Sequence, residues 1–149
     1  MVNISKKTKV YREAIAVGSI RLKRDTIRKL TSGQTDKGDV VQIAMIAGIQ
    51  AAKLTPLLIP LCHSIQIEHV DIKTKILEDS VEITTKVVSE GKTGVEMEAL
   101  TAVSVALLNV WDVVKAYEKD EKGQYPNTVI ERISVNSKVK RKIEDARKA

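Results

Sequence analysis

Phenylalanine is absent from the chain and aromatic residues make up only 3% of it, so platforms for stacking nucleic-acid bases have few residues to draw on. One cysteine, Cys62, rules out an intrachain disulfide framework and fits a reducing compartment. Histidine is nearly as scarce. With only His63 and His69, a structural zinc site would have to lean on carboxylates, and no metal centre is expected. No uninterrupted apolar run reaches about 18 residues, and the opening MVNISKKTKV lacks the apolar centre of a signal peptide. These gaps predict a soluble, cytoplasmic protein without a membrane partner.

What is present suits one ordinary core: 149 residues, 43% of them apolar, predict a single domain over 1–149. Residues 1–10 are polar and lysine-rich and read as a flexible arm. The net charge of +6 invites a nucleic-acid reading. However, Lys138 to Ala149 hold six Lys/Arg against two Asp/Glu, four of those six charges, and the remainder is nearly balanced. Residues 138–149 therefore read as a basic tail, solubilising or a frayed helical end, and no nucleic-acid partner is expected.

The organising stretch is GKTGVEMEALTAVSVALLNVWDVVKAYEKD, Gly91 to Asp120. Leu100, Val103, Leu107, Val110, Val114 and Tyr117 recur at three- and four-residue steps, which predicts a helix of about 25 residues. Beside that stripe Glu98, Thr101, Val105, Leu108, Asp112 and Lys115 also keep helical spacing. The polar members are either solvated helix ends or the lining of a pocket, with Asp112 and Lys115 an i,i+3 pair. Glu98 and Asp112 would lie about 21 Å apart on one straight helix, so a site using both would need two copies packed antiparallel about a two-fold axis.

Elsewhere, Val10–Leu22 reads as a strand in which Gly18 marks a bulge or a close approach. Asp25 can cap a short helix over TIRKLTS. A second helix is predicted from Asp39, its cap, to Lys53, with a small-residue face that implies two packing partners. Lys37 and Gly38 precede it, where a lysine and free backbone N–H groups could hold a phosphate or where the lysine is simply solvated. Pro56 and Pro60 then break the chain. Adjacent Cys62 and His63 point to opposite faces if extended, so Cys62 reads as a buried thiol, while His63 stays open to a ligand or acid–base role. Ser64–Leu77 and Ser80–Glu90 predict a hairpin with a bulge near Glu68 and His69, and His69 on the surface. Val129–Val135 gives a last strand. Strands and helices in this order predict an α+β, ferredoxin-like sheet with helices on one face.

KGDVVQIAMIAGIQAAKLT, LIPLCH and GKTGVEMEALTAVSVALL closely resemble the molybdenum cofactor biosynthesis protein C family, the cyclic pyranopterin monophosphate synthases. The likeness runs from about Ile4 to Asp120 and weakens beyond. It implies a lyase that rearranges 3′,8-cyclo-7,8-dihydro-GTP into cyclic pyranopterin monophosphate with release of pyrophosphate and without a cofactor. It also implies a homohexamer, a trimer of dimers, with the site at a subunit interface. Carried over by position, Lys37 and Lys115 correspond to catalytic lysines, with acid and base roles open. Asp112, matched to a residue that lines the family's pocket, would orient Lys115 from the same helix face. His63, Glu96, Met97 and Glu98 would also line the pocket, Arg12 would lie near the triphosphate, and Lys138 would align with a further basic residue. Ser64 stands where the family usually has proline, and NSKVKRKIEDARKA replaces its glycine-rich end.

Overall fold

The computed structural model describes residues 1–146. Its elements run β1 (Val10–Arg21), α1 (Arg24–Thr31), α2 (Val40–Leu58), β2 (His69–Ile76), β3 (Ser80–Gly91), α3 (Glu96–Glu118), β4 (Val129–Arg141) and a short α4 (Ile143–Ala146). The strands form one sheet in the order β2-β3-β1-β4, and every neighbouring pair is antiparallel. This α+β arrangement is compatible with the β-α-β-β-α-β plan.

Period-two burial sets the sheet's inner face. Ala14, Ala16 and Ile20 of β1 and Val81, Ile83 and Val87 of β3 are buried, and α3 lays Ala99, Val103, Ala106, Leu107, Val110 and Val114 against them. Thr85 Oγ1 donates to the Ala99 carbonyl at 2.8 Å and ties helix to sheet. Gly18 serves both expected purposes. A Cβ there would lie 2.8 Å from Leu107 Cδ1, and β4 shifts register between its pairings with Val17 and Ser19. The small face of α2 has the two partners it implied, because a Cβ on Gly48 would sit 2.5 Å from Ile72 of β2 and 3.1 Å from the Ala102 carbonyl of α3. By length and composition α2 and α3 could each cross a membrane; both bury part of their apolar surface on the sheet and on each other, while Ile46, Leu57 and Leu58 of α2 stay exposed.

Asp39 caps α2, its Oδ1 accepting from the N–H groups of Val41 and Gln42. Four local expectations change. Lys23, not Asp25, is the N-cap of α1, and Asp25 falls within the first turn. α2 runs through Pro56 to Leu58; in the last turn a proline forfeits one helical hydrogen bond instead of interrupting the ladder, while Ile59 N–H still closes on the Thr55 carbonyl. Regular pairing in β2 starts only at His69, which is exposed as expected, although Glu68 N–H already bonds to the Val88 carbonyl. Lys138 to Arg141, read from sequence as the start of a tail, complete β4.

Candidate active site

The nine positions carried over from the resemblance fall into two groups at opposite ends of α3. The first is built where the turn before α2 meets the C-terminal half of α3. Asp36 N–H donates to the Tyr117 hydroxyl at 2.9 Å, and Gly38, at φ +93°, turns the chain into α2. Lys37 thereby reaches Asp112, its Nζ donating to Oδ2 at 2.8 Å and to the backbone carbonyl at 3.0 Å. Lys115 Nζ donates to the other oxygen, Oδ1, at 2.7 Å. Hydrogen bonds from Lys115 and then Lys37 hold the Asp112 carboxyl down at about 2, and the same bond pushes Lys115 up.

The lysines are therefore not buried beside other cations. Both lysine side chains are 47% exposed in the single chain, Asp112 is 55% exposed, and Lys115 is favoured as an ammonium. A phosphate held by backbone N–H groups at the start of α2 is also not available in the form expected, because Asp39 already takes the amides of Val41 and Gln42.

The second group gathers at the N-terminus of α3. Val95 is the N-cap, with no side-chain cap bond. A cavity of about 560 Å³ opens here, lined among others by Lys7, His63, Glu96, Met97 and Glu98, a size suited to a small organic ligand. A second cavity of about 190 Å³ shares Gly94 and Glu96 with it and is lined by Arg12, Lys138 and Lys140. The two glutamates lie in different environments. Burial raises Glu96, but its own backbone N–H, the Lys138 ammonium at 3.0 Å and the Arg12 charge outweigh that and leave it lowered. Glu98 is 2% exposed, and burial, helped by the Glu96 charge and opposed by its own N–H, pushes it up. Among the described residues its Oε2 has no hydrogen-bond partner, and neither has the buried Nε of Arg12. His63 Nε2–H donates to the Val2 carbonyl at 2.8 Å. Cys62 also lines the larger cavity, its thiol raised by burial and by Glu98.

Lys138 reaches this site because β4 carries a bulge. Ile15 pairs with Ser137 but Ala16 pairs with Val135, so Asn136 is the extra residue. Were the same sequence paired without the bulge, Lys138 would share a face with Asn136 and not with Val135. Lys140, opposite Arg12, was missed by reading this stretch as a tail; its signal was the alternation of Lys138, Val139 and Lys140. Among the described residues no group of three His, Cys, Asp or Glu side chains could hold a metal ion.

The profile of the MoaC family matches residues 1–140. The chain belongs to the MoaC family. It is 56% identical over 140 residues to a probable cyclic pyranopterin monophosphate synthase of Pyrococcus horikoshii, covering 94% of this chain and 88% of that one. Proteins with the same description from Sulfolobus acidocaldarius, at 53% over 94% of this chain and 98% of theirs, and Aeropyrum pernix, at 51% over 95% and 96%, are similar to it. The MoaC match extends past Asp120 to include the bulge of β4 and Lys138.

Proposed function

We propose that this MoaC chain is a cyclic pyranopterin monophosphate synthase, a lyase of molybdenum cofactor biosynthesis that converts 3′,8-cyclo-7,8-dihydro-GTP into cyclic pyranopterin monophosphate and pyrophosphate in the cytoplasm. The observation that carries this reading is the division of chemistry along α3. A buried carboxylate with one oxygen unpaired among the described residues borders a ligand-sized cavity, a basic cavity adjoins it, and two lysines share one carboxylate at the other end. The substrate has matching parts. Its ring N–H groups suit Glu98 as acceptor, with Met97 and His63 beside the ring. Its triphosphate suits Arg12, Lys138 and Lys140, where negative charge develops as pyrophosphate leaves. Lys37 and Lys115 supply proton transfer, and Asp112, a carboxylate at any working pH, holds both ammonium groups in place.

Glu98 and Asp112 are fourteen residues apart on one helix, about 21 Å at 1.5 Å per residue, so a complete site takes one group from each of two chains. Exposed apolar side chains supply surface for that assembly: Leu57 is 80% exposed and Leu61 72%. A two-fold dimer, repeated as a trimer of dimers, is the assembly proposed. The test is to incubate the protein with enzymatically made 3′,8-cyclo-7,8-dihydro-GTP. Pyrophosphate and cyclic pyranopterin monophosphate in equal amounts are expected, and binding of GTP without turnover of the cyclised substrate would overturn the reading.

A further inference from the structure

The arm before β1 is not a free end. Val2, Ile4 and Lys7 form part of the wall of the larger cavity. Two bonds seat the arm there: the Val2 carbonyl accepts His63 Nε2–H at 2.8 Å, and the Ser5 carbonyl accepts Lys92 Nζ at 2.9 Å. Between them the arm is folded on itself, with Ser5 N–H on Asn3 Oδ1 and Lys7 N–H on the Ile4 carbonyl. The first of the two seating bonds also settles the histidine. A carbonyl can only accept, so Nε2 carries a proton.

Lys7 is the one lysine or arginine among the described residues lining this cavity, and it makes no ion pair among them. The same cavity is lined by Glu98, whose Oε2 has no partner. Lys7 and the free Oε2 of Glu98, which line one cavity and could neutralise each other, are paired neither with each other nor with another described group, and the arm that carries Lys7 is fixed through its backbone to His63 and Lys92. We infer that Lys7 is a substrate-binding residue and that residues 2–7 are the strap that holds its ammonium over the ring-binding end of the site. An oxygen acceptor of the substrate lies against Lys7 while its N–H donors face Glu98.

This inference rests on the proposed synthase reading, and its test is arranged to fail separately. With 3′,8-cyclo-7,8-dihydro-GTP as substrate, Lys7→Ala is expected to raise KM about tenfold or more, the scale of a lost charged hydrogen bond, with kcat within about twofold because the contact is made in ground and transition states alike. Lys7→Arg should restore most of the affinity. Lys92→Ala, which loosens the strap without touching the cavity, should raise KM in the same direction, and hydrogen exchange at the Ser5 and Lys7 amides should quicken in it. Substrate should slow those amides in the parent protein. A KM for Lys7→Ala within twofold of the parent, or a strap whose exchange substrate does not slow, would overturn the inference while leaving turnover by the parent intact. Should the parent show no turnover, the synthase reading falls, and the calorimetric affinity of GTP for parent and Lys7→Ala then decides Lys7: equal affinities reject it.

Discussion

Two buried glutamates sit near the two ends of α3, and they differ in what surrounds their oxygens. Glu118 is 0% exposed, yet its carboxylate accepts the Lys23 N–H at 3.1 and 3.3 Å and the Thr128 hydroxyl at 2.6 Å. It joins the start of α1, the end of α3 and the entry to β4, while Lys23 Nζ caps the Tyr117 and Lys119 carbonyls beside it. Glu98 is as deeply buried but leaves Oε2 without a partner on the rim of a cavity. Burial of a charge is costly at either place. At Glu118 the fold offsets the cost with its own donors, whereas at Glu98 the donor is left for a ligand to bring.

The comparison would break most visibly at Glu118. Glu118→Ala leaves a buried N–H and a buried hydroxyl unpaired, and should cost about 3 kcal/mol or more, a fall in melting temperature of about 10 °C for a chain this size. A melt within 2 °C or so of the parent would show that Glu118 is not the tie described. Glu98→Gln should do the reverse: stability held or raised, turnover down by about 10²-fold, since the amide presents an N–H where the substrate presents one too. A glutamine variant that turns over normally would remove Glu98 from the site.

Mixing sharpens the comparison, because the two ends of α3 should cooperate across chains. Both lysines rest on one Asp112 within one chain, so complementation is expected between Glu98→Gln and Lys115→Ala, not between Lys37→Ala and Lys115→Ala. Random reassembly of the first pair should recover about a quarter of parent activity, half the dimers being mixed with one intact site each. Verified mixed oligomers that stay inactive would place a whole site in one chain.

The smallest expected effects are in the pH dependence of stability, and the two ends of α3 have opposite signs. A carboxyl raised on folding, as Glu98 is, holds its proton more tightly in the folded state. It therefore lowers stability as pH rises from the ordinary glutamate value to the raised one. Glu98→Gln should gain on the parent across that window and keep a constant advantage above it. Asp112, lowered from 3.8 to about 2, contributes stability that is present above 3.8 and lost toward 2. Asp112→Asn should therefore show a small deficit that does not change between pH 5 and 8. Melting curves across pH decide both.

Much of this was legible in the chain. α3, β1, β3 and the Asp39 cap follow from periodicity and cap chemistry, and the pairing of Asp112 with Lys115 from i,i+3 spacing. That Lys37 joins them was carried by resemblance, since the turn before α2 is docked by Tyr117, a contact 81 residues away in sequence. Glu118 was not legible for a similar reason. A glutamate at the end of a helix, next to Lys119 and Asp120, has the local signature of a solvated terminus, and only the approach of Lys23 and Thr128 makes it interior. Pro56 looked like a stop because proline's effect depends on how many turns follow it, and that is set by where the helix ends. Lys138 read as tail because its alternation is interrupted at Asn136, the residue that lets it reach Glu96.

That interruption has a consequence for how the chain can change in length. Asn136 is the one place in this stretch where β4 can lose a residue without losing its register: its deletion leaves Val135 opposite Ala16, Ser137 opposite Ile15 and Lys138 opposite Ala14 in plain alternation, whereas one residue lost or gained between Lys138 and Lys140 turns Lys140 to the far face of the sheet and away from Arg12. Beyond Arg141 no such counting applies. A slip of one position between Lys138 and Lys140 would take the basic cavity apart in a protein whose core residues keep their places.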